Sequence, residues 1–125
     1  MEYYSIYTDR KSFPIKLIAV TGGSPGIRDN GLLESAVAGC YQSFDGVDLH
    51  TSIIDKAAWM AYAICRNHPF IDGNKRVAVT AMLVMLRLNN IVLKFTQQEL
   101  VALGLGIADG SLEHDDIAIW INRHL

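Results

Sequence analysis

Cysteine, proline and charge are scarce in this chain of 125 residues, which contains two cysteines, three prolines and 19% charged residues. The two cysteines, Cys40 and Cys65, are too few for a disulfide scaffold and are not spaced as zinc ligands. The formal net charge of −2 lacks the basic excess of general nucleic-acid binders, so we expect no direct nucleic-acid partner. Half of the residues are hydrophobic, which favours a globular protein with a sizeable core.

Long apolar runs are also missing. The uncharged runs near the centre of the chain fall well short of the roughly 20 residues that a membrane-spanning helix requires. The N-terminal residues MEYYSIYTDRK have neither the basic start nor the apolar segment of a signal peptide. We therefore expect a cytoplasmic protein with no membrane partner, folded as a single domain over residues 1–125.

Hydrophobic periodicity predicts an all-α fold with at most a small β-hairpin. Helices are expected from Pro14 to about residue 21, from 29 or 30 to 39, from 51 to 67, from 77 to a stop at Asn89-Asn90, from 96 to 110, and from about 111 or 113 to 124. The first of these begins at a proline, which suits the first turn of a helix. The third and fourth are the most apolar, which predicts that they form the centre of the fold.

A polar stretch, NHPFIDGNKR (residues 67–76), separates these two apolar helices. His68 suits proton abstraction because an imidazole titrates near neutral pH, although a histidine at a helix end also serves the helix dipole. Asp72 is either a helix N-cap or a ligand for Mg²⁺. Gly73 lets the backbone approach a ligand closely, and the helix start that follows favours an anion. Lys75 and Arg76 oppose the helix dipole there, which indicates a bound anion such as phosphate.

Taken together, a base, a carboxylate, a glycine-backed anion site and two cations are typical of phosphoryl or nucleotidyl transfer. The stretch HPFIDGNKR resembles the signature H-P-F-x-[D/E]-G-N-G-R-x-x-R of Fic domains. The flanking sequences GGSPGIRDNGLLESA and AVTAMLVMLRLNN are similar to the short death-on-curing (Doc) branch of that superfamily. The resemblance extends over about residues 22–95 and implies a compact α-helical Fic/Doc bundle with a flap beside the active site.

The resemblance implies roles for three residues in the first half of the motif. His68 would be the general base that takes the proton of a target hydroxyl group. Phe70 would anchor the loop in the core, and Asp72 would bind Mg²⁺.

In the second half of the motif, the resemblance implies an ATP site. Gly73, Asn74 and the helix start would cradle the phosphates, while Lys75 and Arg76 would contact phosphate oxygens and act in catalysis.

Two departures from the Fic signature bear on the reaction. Lys75 replaces a glycine, and Val79 replaces the second arginine; both changes match the Doc branch. By resemblance, Doc-type enzymes present the γ-phosphate of ATP to a threonine of elongation factor Tu, so a kinase is favoured. Pro69 and Gly73 are Fic-type residues, which keeps transfer of AMP to protein as the alternative. A catalytically weak module that binds an antitoxin is a third interpretation.

Restraint of the activity is expected from an antitoxin supplied in trans. Many Fic proteins carry an inhibitory helix with the pattern [S/T]-x-x-x-E-[G/N], for which the sequence offers no good match. A disordered antitoxin segment that folds onto a groove of the toxin would fulfil this function. Arg28, in the flap region, is either part of a surface turn or a substrate-docking residue.

Overall fold

A computed structural model describes the backbone of residues 5–8, 11–14, 30–40, 43–44, 47–48, 52–67 and 73–125. Within these residues five helices are present: α1 (Asn30–Gly39), α2 (Ile53–Asn67), α3 (Asn74–Leu88), α4 (Gln97–Asp109) and α5 (His114–Arg123). The prediction of an all-α fold is confirmed. None of the described helices is both long enough and apolar enough to cross a bilayer.

Two short antiparallel strand pairs accompany the described helices. Strand β1 (Ser5–Thr8) pairs with β2 (Lys11–Pro14), and β3 (Ser43–Phe44) pairs with β4 (Val47–Asp48). The helix expected to begin at Pro14 does not begin there, because Pro14 is the last residue of β2 and is aligned with Ser5. Proline has no N–H group to donate to a strand ladder, but at the end of an edge strand no such hydrogen bond is needed. A strand end therefore accommodates proline as readily as a helix start does. Residues 15–21 of that prediction lie outside the described residues.

Helices α2 and α3 form the centre of the described fold. They pack along each other, α1 and α5 pack on α2, and α4 packs mainly on α3. The largest fully buried side chains belong to these helices: Met60, Ile64, Met82, Met85, Leu86, Leu103, Ile107 and Ile117. The apolar character of the two central helices therefore reflects burial, as the sequence predicts.

Local chemistry fixes where the helices begin and end. The Ser52 hydroxyl accepts the backbone N–H of Asp55 at 3.0 Å and caps α2. The sequence TQQE (residues 96–99) predicts a capping box at the start of α4. Thr96 and Glu99 form it, with reciprocal bonds of 3.1 and 2.9 Å. The end of α3 is also where the sequence predicts it, since the helix stops at Leu88 and the next two residues form a turn.

Candidate active site

The predicted site begins where α2 ends. Asn67 is the last residue of α2, and its side-chain amide donates a hydrogen bond to the backbone carbonyl oxygen of Leu32 in α1 at 3.0 Å. This bond ties the end of α2 to α1, directly before the residue predicted to be the general base. His68, Phe70 and Asp72 lie outside the described residues, so the roles expected for them stay predictions.

Gly73 is the N-cap of α3. Its backbone is left-handed, with φ 78° and ψ 17°, a conformation that glycine adopts readily. The first bond of the helical ladder runs from the Val77 N–H to the Gly73 carbonyl oxygen at 2.9 Å. The N–H groups of residues 74–76 precede that bond and point out of the helix start, where anions are stabilised. Asp72, for which an N-cap role and a Mg²⁺ role are both predicted, precedes this glycine and lies outside the described residues.

Two cations occupy the first turn of α3, which contains no acidic residue. Lys75 and Arg76 are exposed, while Asn74 is buried. Lys75 and Arg76 therefore lie at the positive end of the helix dipole, where cations are unfavourable, as the sequence predicts. Their charges and the helix start together favour an anionic ligand at this end of α3.

A cleft of about 760 Å³ lies between α3 and α4 and opens beside these cations. Its volume lies within the range of small-molecule sites. The described lining residues are Gly73, Asn74, Lys75, Arg76, Val79 and Thr80 from α3, and Gln97, Leu100, Val101, Gly104, Leu105 and Ala108 from α4. All four described residues to which the sequence assigns phosphate binding therefore border a single cleft.

The α4 wall, defined here as the six α4 residues that line the cleft, was missed by the sequence interpretation. These residues recur every three or four positions and therefore occupy one face of the helix. Val101 and Leu105 on this face are 50% and 51% exposed and border the cleft. Their place in the cleft wall becomes visible only once α4 is packed beside α3.

Comparison with known proteins gives the family. The Fic/DOC family model matches residues 9–86, more than half of the chain. The chain belongs to the Fic/Doc family. Among its relatives, "Toxin Doc" of Mycolicibacterium smegmatis is 38% identical over 87 residues, which cover 70% of this chain and 67% of the relative. "Protein kinase doc" of Escherichia phage P1 is 33% identical over 102 residues, or 82% of this chain and 79% of that protein. These relatives confirm the predicted Doc branch and support a Doc-type toxin.

The match of this Fic/Doc protein to the family model ends within α3, at residue 86. Helix α4 begins at Gln97 and lies beyond it. The cationic end of the cleft therefore belongs to the matched segment, whereas the α4 wall does not.

The cysteines of the Fic/Doc protein are weak nucleophiles. Cys40 and Cys65 are buried, and desolvation raises the pKa of Cys40 to about 12 and that of Cys65 to about 11. The charge of Lys75 opposes the rise at Cys65 but is outweighed by burial. Buried thiols with raised pKa values hold little thiolate near neutral pH, so Cys40 and Cys65 are weak nucleophiles in the folded protein.

A histidine far from the motif joins α4 to α5. The Nδ1 of His124 lies 2.7 Å from the carbonyl oxygen of Trp120, and its Nε2 lies 2.7 Å from the carboxylate of Glu99. Both neighbouring atoms are oxygen acceptors, an arrangement that favours the protonated ring. The bond to the Trp120 carbonyl and the bond to Glu99 accordingly raise the pKa of His124. The contact holds the first turn of α4, and with it one end of the cleft wall.

Metal ligands are not found near the described part of the cleft. Among the described residues, no group of three histidine, cysteine, aspartate or glutamate side chains could hold a metal ion. Asp72, the predicted Mg²⁺ ligand, lies outside that part of the chain.

Proposed function

We propose that this Doc-type protein transfers the γ-phosphate of ATP to a threonine hydroxyl of a translation factor such as elongation factor Tu. The observation that supports this proposal most is the start of α3, where left-handed Gly73 leads into Lys75 and Arg76 at the edge of a cleft. The relative from phage P1, itself named a protein kinase, supports the same reaction.

The described residues fit a triphosphate by their charge. Lys75 and Arg76 supply two cations at the edge of the cleft, and the start of a helix favours a negatively charged group. A guanidinium contacts two phosphate oxygens at once, so Arg76 would orient the transferred group as well as neutralise it. Phosphoryl transfer depends mainly on such positioning and charge stabilisation.

His68, the histidine of the Fic signature, would act as the general base. It follows directly on Asn67, the end of α2 that is bonded to α1. It would take the proton of the threonine hydroxyl while the new oxygen–phosphorus bond forms. The bond between the γ-phosphorus and its bridging oxygen breaks at the same time, and ADP leaves. General-base action of this kind contributes about 10²- to 10⁴-fold in rate. Asp72 would offer a carboxylate oxygen to Mg²⁺, which neutralises phosphate charge when bound.

Two residues of the cleft favour kinase activity over AMP transfer. Val79 stands where the Fic signature has its second arginine, and its aliphatic side chain lines the cleft 7% exposed. No phosphate clamp can be made there. Lys75 adds charge and bulk next to the helix start, in place of a glycine. AMP transfer keeps some support from Gly73, which matches the Fic signature.

The reaction can be tested by incubating the protein with elongation factor Tu, Mg²⁺ and ATP labelled at either the γ- or the α-phosphate. Label transferred from the γ-position alone is the expected result. Label from the α-position would show AMP transfer instead, and an absence of label despite ATP binding would favour the antitoxin-binding module.

A matched pair of variants sharpens the same assay. Arg76→Ala should abolish transfer, whereas Arg87→Ala should not, because Arg87 is an exposed arginine in the last turn of the same helix. Equal loss in both variants would count against phosphate binding at the start of α3.

An antitoxin supplied in trans completes the proposal. The relative named "Toxin Doc" supports a toxin, and the sequence has no good match to the inhibitory helix pattern of Fic proteins. Co-expression with a small protein encoded next to the toxin gene should restore growth of cells that produce the toxin. His68→Ala should remove toxicity without such co-expression; toxicity that survives the substitution would rule out the general-base role.

A further inference from the structure

We propose that Asn67 is a positioning residue, whose hydrogen bond to α1 fixes the place of His68, the next residue in the chain. The inference rests on the proposed function, because it takes His68 as the general base. It deepens that function by giving a role in the reaction to a side chain that precedes the signature HPFIDGNKR.

The side chain of Asn67 bonds in a different direction from those of two other asparagines at helix ends. The amides of Asn89 and Asn122 donate to carbonyl oxygens four residues back in their own helices, at 2.9 and 3.0 Å. The amide of Asn67 donates instead to the carbonyl oxygen of Leu32 in the first turn of α1, 35 positions away, at 3.0 Å. A bond between two helices fixes their ends relative to each other. The bond of Asn67 therefore has a positional consequence that the other two bonds lack.

Helix α1 is a firm support for this bond because it is held along its length. Ala36, in the middle of α1, is buried in the core. Near the other end of α1, the backbone of Gly39 lies so close to the indole ring of Trp59 in α2 that an added Cβ atom would collide with it. Since Gly39 faces Trp59 and Leu32 is bonded to Asn67, α1 and α2 run antiparallel and are in contact near both ends of α1.

One peptide unit separates the anchored residue from the predicted base. The Cα atoms of consecutive residues lie about 3.8 Å apart across a trans peptide, so anchoring Asn67 restricts where His68 can lie. A general base must come within about 2.6–3.2 Å of the oxygen whose proton it takes. A misplacement of about 1 Å can cost roughly 10²-fold in rate. Loss of the Asn67 bond should therefore slow proton abstraction, whereas the phosphate site at the start of α3 lies on another helix.

The test measures single-turnover transfer of label from ATP to elongation factor Tu by the wild type, Asn67→Ala and Asn89→Ala. Asn89→Ala is the matched control, because it removes a part-buried amide–carbonyl bond of similar length at another helix end. We expect Asn67→Ala to slow transfer at saturating ATP about tenfold or more, and to leave the affinity for ATP within about twofold of the wild type. Asn89→Ala should transfer label at the wild-type rate.

A double-mutant cycle separates positioning from a purely structural role. If Asn67 acts through His68, Asn67→Ala should slow transfer no further in a His68→Ala background. If the bond serves stability alone, Asn67→Ala should melt at a lower temperature but transfer label at the wild-type rate wherever it is folded.

The inference and the proposed function can fail separately. Equal rates in Asn67→Ala and Asn89→Ala, or the same slowing by Asn67→Ala with and without His68, would overturn the inference alone. If Asn67→Ala does not fold, the same measurements on Asn67→Leu decide, because leucine keeps the bulk of the side chain and removes the donor. Label from the α-phosphate that is slowed only by Asn67→Ala would support the positioning role and refute the kinase. No transfer from either position by the wild type would refute both.

Discussion

Two glycines of this protein share a backbone conformation but lie in different places, and together they test the phosphate site. Gly73 has φ 78° and ψ 17° at the start of α3, and Gly110 has φ 85° and ψ 2° at the end of α4. Substitution of either by alanine places a Cβ atom in the left-handed region. Gly73 borders the cleft, whereas Gly110 does not.

The cost in stability should be similar for both substitutions. A left-handed alanine costs roughly 1–2 kcal/mol relative to glycine. At Gly110 the added Cβ would lie 3.4 Å from Nη2 of Arg66, the flexible end of a side chain, which adds little. For a chain of 125 residues, this loss lowers the melting temperature by about 4–8 °C.

The effect on ligand binding should separate the two variants. A methyl group at residue 73 crowds the helix start where phosphate is expected, so Gly73→Ala should weaken ATP binding about tenfold or more. Gly110→Ala should bind ATP as the wild type does. Thermal unfolding measures the first effect and calorimetry at a temperature where both variants are folded measures the second. Equal ATP affinity in the two variants would refute the assignment of Gly73 to the phosphate site.

Three further predictions concern the fold. Gly106→Ala should cost about 1–3 kcal/mol in urea unfolding, because the new Cβ would lie 2.5 Å from Cδ1 of Leu112, and the cost should shrink in a Leu112→Ala background. His124 has a raised pKa, so its contribution is complete below its unfolded pKa of about 6.5 and is lost as the pH rises through the folded value. The stability difference between wild type and His124→Gln should therefore shrink with rising pH, and a constant difference would contradict the imidazolium. The thiols of Cys40 and Cys65 should react with iodoacetamide slowly in the folded protein and rapidly in urea; rapid labelling of the folded protein would contradict their burial.

Features that depend on neighbouring residues could be predicted from the sequence. The capping box at Thr96 and Glu99 is fixed by hydrogen bonds across three positions, and it occurs where the pattern predicts it. Burial of the central helices is similarly confirmed. In these cases the local chemistry and the tertiary structure agree.

Features that depend on packing could not be predicted. The α4 wall contributes to the cleft only because α4 lies beside α3. No local pattern in "ELVALGLGIA" predicts that α4 packs against α3. His124, the C-cap of α5, has a side chain that is 14% exposed and bonded to Glu99, 25 positions away, a contact that no local pattern indicates. Pro14 was assigned to a helix start because the pairing of residues 11–14 with residues 5–8 could not be recognised from sequence.

The central claim is that the first turn of α3 binds the phosphates of ATP, and amide chemical shifts measure this most directly. In a titration of the ¹⁵N-labelled protein with ATP and Mg²⁺, the largest shifts should occur at the amides of Gly73, Asn74, Lys75 and Arg76. Tripolyphosphate should move the same amides, and adenosine alone should move them much less. Shifts confined to α5, or none at the start of α3 under saturating ATP, would contradict the account.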